Sequence, residues 1–234
     1  MNSKLTIDSI GWDVLNWGHS LKFLEKSVDL NIIRNALEIG IGSNNGGLSI
    51  YLASKNIDVL CTGYNGVSRS VRDVHLEYPF SGKIKYGKID VLNIDPIYKD
   101  RFDLIVFKSV IGGLNGFDHK KNAEEVISQI YDCLNHNGYL FFAENLVSTR
   151  FHMYIRNKYG WGKNKKGWNY YKIDELTSAI KKRFTKFSYE TKGFLGCFGR
   201  NEFQKRILGN VDNYIFNSLL SDENKYIFFC ICRK

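Results

Sequence analysis

The chain has 234 residues, enough for one well-buried core or one domain with a modest insertion, and too few for two independent domains. Its 44% hydrophobic content is ordinary, no apolar run reaches membrane-crossing length, and Met1-Asn2-Ser3-Lys4-Leu5-Thr6 has no stretch like that of a secretory signal. A cytoplasmic protein without membrane insertion is therefore expected. The net charge of +9 points to an anionic partner, without saying whether that is RNA, a lipid surface or an acidic small molecule. Cys61, Cys133, Cys197, Cys230 and Cys232 form no Cys-x-x-Cys pair, so no zinc ribbon, disulfide framework or other metal site is expected.

In chain order, the aromatic segment Ile10-Gly11-Trp12-Asp13-Val14-Leu15-Asn16-Trp17-Gly18-His19 precedes a helix-like stretch from Leu21 to Val28. A short strand, Ala36 to Ile39, then runs into Gly40-Ile41-Gly42-Ser43-Asn44-Asn45-Gly46-Gly47 and the helix-like Leu48 to Ala53. Glycines there let the backbone turn tightly and let a ligand approach. Further strands are predicted at Val59 to Thr62, Ile84 to Ile89, Leu104 to Phe107 and Tyr139 to Ala143. The last two flank an amphipathic helix whose apolar face is Ala123, Val126, Ile127, Ile130 and Leu134. That helix is expected to stop at Asn135-His136-Asn137-Gly138, with the glycine in a left-handed helix end and His136 as a turn residue. A long loop follows, then a helix from about Asp174 to Phe184. The tail reads as strands Lys186 to Thr191 and Tyr226 to Ile231, separated by a polar excursion with Arg200, Glu202, Lys205 and Arg206. Strands alternating with helices predict βαβ units and a largely parallel sheet.

The glycine turn excludes two nucleotide motifs. Gly40 and Gly42 suit Gly-x-Gly-x-x-Gly, but the third glycine position holds Asn45, and no Gly-Lys-Ser/Thr follows to make a P-loop. Glu38, just before the turn, would repel a phosphate and suit an amine-bearing ligand.

An acidic residue followed by Gly-x-Gly, in this order of elements, resembles a class I S-adenosylmethionine-dependent methyltransferase, over roughly Ala36 to Arg233. The resemblance implies a Rossmann-like, doubly wound α/β fold with a seven-stranded, mostly parallel sheet and an antiparallel last strand. It divides one domain into an N-terminal helical lid (1–34, with Trp12, Trp17 and His19), a cofactor-binding core (35–146), and an acceptor loop with C-terminal strands (147–234). It also implies S-adenosylmethionine as cofactor, with S-adenosylhomocysteine as product. Glu38 would lie near the cofactor's amino group, and Gly40 and Gly42 beneath its methionine and ribose. Asp90 would meet the adenine amino group with Val91 as an apolar wall, while Lys108 emerges near the methyl group.

One feature departs from the family. After the second strand, where a carboxylate usually holds the ribose, stand Gly63 and Tyr64, leaving Asn65 or Tyr64 to take that part. A charged hydrogen bond of this kind contributes about 1.5 to 3 kcal/mol.

On the acceptor side, the residues that follow the fourth and fifth strands supply candidates: Ser109 and Asn145 for binding, and His119, His152 and Glu144 as catalytic groups. From Ser148 to Lys172 there is no Asp or Glu, while Arg150, Arg156, Lys158, Lys163, Lys165 and Lys166 alternate with aromatic residues. Such a segment suits an anionic acceptor with a ring to stack on. Arg150, Lys163, Lys165 and Lys166 are thus candidate acceptor ligands.

Short matches at Lys108-Ser109, Phe142-Ala143-Glu144-Asn145, Trp161-Gly162 and Phe198-Gly199-Arg200-Asn201-Glu202 also resemble methyltransferases of bacterial surface-polysaccharide synthesis. They imply O-methylation of an anionic sugar, glycan or phosphate-type molecule. RNA methyl transfer fits the charge, but no Asn/Asp-Pro-Pro-Tyr/Phe motif follows the fourth strand. A non-catalytic nucleoside-binding module is the third reading, prompted by the missing carboxylate.

Overall fold

A computed structural model describes residues 3–41, 46–114, 119–159 and 169–234. Its sheet is built from β1 (Asn35–Ile39), β2 (Asp58–Gly63), β3 (Ile84–Lys88), β4 (Phe102–Lys108), β5 (Leu134–Asn145), β6 (Lys186–Lys192) and β7 (Ile227–Arg233). The order is β3-β2-β1-β4-β5-β7-β6, and β7 runs antiparallel between β5 and β6. The remaining pairs are parallel, which reproduces the predicted fold class.

Helices cover both faces: α1 (Ser3–Ile10), α2 (Val14–Ser27) and α3 (Gly47–Ser54) on one, and α5 (His119–Cys133) and α7 (Ile173–Lys181) on the other, with α4 (Arg69–Leu76) after β2. β4 shows why. Its alternate residues Leu104 and Val106 pack with Trp17, Leu21 and Leu52, while Ile105 and Phe107 pack with Ile127 and Ile130. A parallel strand covered on both faces must be apolar throughout. Phe107 stacks on Phe142 of β5 at 4.8 Å, tying the central strands together.

Three details differ from the sequence expectation. The segment after β5 is not all loop: α6 (Arg150–Tyr159) forms there. The polar excursion is helical too, as α8 (Glu202–Val211), capped by Asn201, whose side-chain oxygen accepts from Gln204 N at 2.8 Å. Leu134 opens β5 instead of closing α5, and in the Asn135 to Gly138 turn it is Asn137 that takes the left-handed φ of 65°. Gly138 serves close approach instead, since a Cβ there would stand 3.0 Å from Phe102 O. Two further carboxylates are tied down at the opposite end of the sheet: Asp58 at the start of β2 pairs with Lys83, and Asp103 accepts from Arg34 N, Asn35 N and Asn135 Nδ2.

Candidate cofactor and acceptor site

All the parallel strands release their chains at one edge, where open α/β sheets bind ligands. At the end of β1, Gly40 takes φ 69°, and a Cβ there would come within 2.6 Å of Val110 Cγ2. A residue with a side chain would be strained by that dihedral and blocked by that approach, so glycine is the residue that fits. Beneath it, Glu38 is buried and accepts from Ser49 N (2.7 Å), Ser49 Oγ (2.5 Å) and Leu48 N (3.3 Å) at the start of α3. A carboxylate at a helix N-terminus is favoured by the helix dipole and by the unpaired N–H groups there. Burial nonetheless pushes its carboxyl up to about 7. Glu38 therefore ties the end of β1 to the start of α3, and by the four-site capacity of a carboxylate one acceptor position on Oε1 is left by these bonds. Gly42 lies outside the described residues.

Further along the edge, the turn Gly63 to Gly66 closes with Gly66 N on Gly63 O at 3.0 Å, which leaves Tyr64 65% exposed and Asn65 exposed. Asp90, next to this turn, accepts from Leu92 N at 3.0 Å and so caps its own loop. Val91 is buried in the core with Ile89 and Ile94.

The other half of the edge belongs to β4, β5 and the N-terminal helices. Lys108 is buried, donates to Ile10 O at 2.9 Å, and lies over the ring of Trp17 at 4.4 Å. Burial pushes its ammonium down to about 7, against the pull of Asp13, Glu144 and Glu38. The carbonyls of Asp8 and Ser9 close on Gly47, so α1 lies directly on the start of α3. Tyr78 Oη donates to Asp8 Oδ2 at 2.5 Å and Lys4 pairs with Glu77, holding α1 from the β2 side. Trp12 and Trp17 lie 5.6 Å apart beside the Lys108 ammonium, whereas His19 meets Asn213 Oδ1 at 2.7 Å.

Ser109 and Asn145 come together as expected for neighbours, Asn145 Nδ2 donating to Ser109 Oγ at 3.1 Å. Ser109 has φ 55°, an uncommon conformation for a residue with a Cβ. Glu144 Oε1 accepts from Val110 N (2.6 Å) and Ile111 N (2.7 Å), while its buried Oε2 has no partner among the described residues. Burial pushes this carboxyl up to about 7.

His152 is placed differently from a solvent-facing base. It is buried, its Nε2 donates to Phe194 O at 2.9 Å, it stacks on Tyr226, and it packs at a tilt against Phe198. Burial, then the nearby Arg156, pushes its imidazole down to about 3. A base with so little proton affinity is poorly matched to neutral pH. His119 opens α5, but its side chain is outside the described residues, as are Lys163, Lys165 and Lys166. Arg150 is exposed at the first turn of α6. Arg156 is buried, donates to Leu146 O at 2.8 Å and packs over Tyr170 and Tyr226.

Sequence reading missed a buried polar knot that joins α2 to Asp212. Asp212 accepts from Leu195 N, Gly196 N and Asn16 Nδ2, each at 2.8 Å, and Asn16 also reaches Asp13 at 3.3 Å. Asp13 is buried with φ 45°, and burial raises its carboxyl well above the usual range. The local signal was slight: an Asp and an Asn within an aromatic run, and an Asp in a segment read as polar surface.

No protein-family model matches the chain. No curated protein matches it by sequence. Solved structures do match. A phosphoethanolamine N-methyltransferase 2 of Haemonchus contortus, in complex with phosphomonomethylethanolamine and S-adenosylhomocysteine, superposes with a TM-score of 0.63 at 17% identity, over 93% of this chain and 52% of that one. This chain therefore spans about half the length of that enzyme. An S-adenosylmethionine-dependent methyltransferase from Archaeoglobus fulgidus gives 0.57 at 13% identity, covering 92% of this chain and 93% of its own. The [4+2]-cyclase SpnF gives 0.58 at 12% identity, over 93% of this chain and 80% of its own. The chain has the Rossmann-like fold found in S-adenosylmethionine-dependent methyltransferases, a fold that also carries other activities.

Proposed function

We propose that this protein is an S-adenosylmethionine-dependent methyltransferase acting on a small-molecule acceptor held between the N-terminal helices and the ends of β4 and β5. The observation that carries the reading is the end of β1, where a left-handed Gly40 and a buried Glu38 shape the turn to α3 within the β3-β2-β1-β4-β5-β7-β6 sheet. A close-approach glycine, a helix N-terminus and an acceptor position on Glu38 fit a nucleoside with an amino-acid tail. Glu38 and Gly40 would hold its methionine part, Tyr64 and Asn65 its ribose, and Asp90 its adenine. When bound, the cofactor supplies an electrophilic methyl group. The chain's own task is to align the acceptor in line and exclude water. Helices α1 and α2, with Trp12 and Trp17, do the excluding. Ser109 and Asn145 orient the acceptor, and Glu144, whose carboxyl stands near 7, takes its proton.

The finer reading is O-methylation of an anionic sugar, glycan or phosphate-type acceptor in surface-polysaccharide synthesis. It is supported by the exposed Arg150 and Lys158 on α6 and by the run without acidic residues from Ser148 to Lys172. The Haemonchus enzyme, in complex with a phosphorylated amine, offers a related acceptor chemistry. A non-catalytic nucleoside-binding module is favoured by one observation, the absence of a carboxylate at Gly63 and Tyr64. Calorimetric titration with S-adenosylmethionine and S-adenosylhomocysteine tests the first claim, and methyl-transfer assays on sugar phosphates, phosphorylated amines and bulk RNA test the second. Binding without transfer to any acceptor supports the module; no binding of either nucleoside ends the methyltransferase reading.

A further inference from the structure

At the end of the sheet opposite the candidate site, α2 stops at Ser27 and leaves part of one sheet face uncovered. Registered neighbours in a sheet point to the same side, so two rows can be followed across β5, β7 and β6. Phe141, Ile231 and Ser188 form one, and Tyr139, Arg233 and Lys186 form the row beyond it. Further in, α2 covers this face, with Phe23 5.3 Å from Phe229. Past its last turn, Ser27, Tyr139, Lys186, Ser188, Ile231 and Arg233 line a groove of about 230 Å³. Tyr139 precedes Asn145 by six positions in β5, which sets the groove about 20 Å from the candidate site at strand spacing.

The charges around the groove do not balance. Lys186 and Arg233 are both exposed and directly opposite each other in antiparallel strands, an arrangement in which like charges repel. Arg233 donates to Asn137 Oδ1 at 3.2 Å and lies over the Tyr139 ring at 5.6 Å, and neither cation has a carboxylate partner among the described residues. Lys26, in the last turn of α2, adds a third positive charge. The carboxylates of the surrounding elements are engaged: Glu25 pairs with Lys55, Glu190 with Lys192 and Asp100 with Lys234, while Asp29 accepts from Asn31 N and Nδ2. An anion that bridges Lys186 and Arg233 would turn their repulsion into binding.

We infer that this groove binds a small aromatic phosphate monoester. The Lys186 ammonium and the forked Arg233 guanidinium meet the phosphate dianion, and the hydroxyls of Ser27 and Ser188 offer further donors. Tyr139 and Ile231 face the ring. The groove is smaller than the roughly 300 Å³ at which drug-sized pockets begin, so one ring with one charged group fits and a dinucleotide does not. The site stands independently of methyl transfer.

The test is calorimetric titration of the full chain with phenyl phosphate, beside inorganic phosphate and benzoate. Phenyl phosphate is expected to bind more tightly than either control and to weaken on adding salt. Lys186→Gln and Arg233→Gln should each weaken it about tenfold. Tyr139→Leu should weaken phenyl phosphate about threefold and leave inorganic phosphate unchanged. Removing either cation also removes the cross-strand repulsion, so the thermal midpoint of the unliganded variants should hold or rise. A lowered midpoint with unchanged affinity would make the pair merely structural and overturn the inference. If Arg233→Gln fails to fold for want of the Asn137 bond, Lys186→Gln alone decides. Binding that Arg150→Gln weakens and the groove variants do not would place the phosphate at the acceptor side, and that overturns it too. So does the absence of phenyl phosphate binding, or equally tight binding of benzoate or inorganic phosphate.

Discussion

The two halves of the functional edge are built on different principles. From β1 to β3 the edge is shaped by backbone: a left-handed glycine, the start of α3, and turns closed by Gly63 O and Asp90. Its buried carboxylate, Glu38, is held by Leu48 and Ser49, ten and eleven positions along the chain. At β4 and β5 the edge is made of buried charges, Lys108 and Glu144, with Asp13 behind them. There several buried atoms, Glu144 Oε2, Asn16 Oδ1, Trp17 Nε1 and His152 Nδ1, have no partner among the described residues. An unpaired buried polar atom costs about 1 to 3 kcal/mol. The described part of the first half is shaped by backbone turns and a partnered carboxylate, while the second carries a desolvation cost at its unpartnered polar atoms.

The sharpest way to break that contrast is at Gly40. Gly40→Ala should cost about 4 kcal/mol, from the left-handed strain and the clash with Val110 together, and should abolish cofactor binding. Thermal unfolding and calorimetry check both; an unaltered affinity would mean the backbone turn does not shape the pocket.

Next comes pH. The Glu144 carboxyl stands near 7 when folded against an ordinary 4.5. The folded state holds the proton more tightly, so this contribution is full below pH 4.5 and is lost as pH rises through 7. Glu144→Gln should remove on the order of 3 kcal/mol of that fall, read from chemical denaturation across pH. Lys108 has the opposite sign. Its ammonium is pushed from 10.5 down to about 7, so stability should rise between those values as the folded state sheds the proton, and Lys108→Met should flatten the rise. Equal profiles for wild type and both variants would mean the acceptor half does not bury its charges.

His152→Phe should cost about 1 kcal/mol, for the lost bond to Phe194 O, and leave turnover within a few-fold. A hundredfold loss of kcat with retained folding would restore the imidazole as a base. The smallest effect is expected at Tyr64→Ala, a few-fold weaker cofactor binding from the loss of about 0.5 to 1 kcal/mol of stacking.

Much of the architecture could be read from pattern. The central strands β1, β4 and β5 lie where their apolar runs predicted, because a parallel strand buried on both faces has to be apolar throughout. The helices after β5 were harder. In α6 and α8, charges and aromatics sit on outward faces that periodicity alone reads as loop. In the site, Ser109 and Asn145 follow strands that pair in the sheet, so their meeting was legible. The bond between Lys108 and Ile10 spans 98 positions and had no local signal. Nor did that of Asn16 to Asp212, 196 positions apart.

By itself, then, the sequence determined the sheet, the tight turn at Gly40 and the carboxylate beneath it, since each follows from local dihedral preference and hydrophobic period. Tertiary structure alone decided which charges are buried together and which histidine loses its proton affinity. It also decided which face of α8 is left to solvent. Those properties depend on desolvation by groups far apart in the chain, and no local pattern records it.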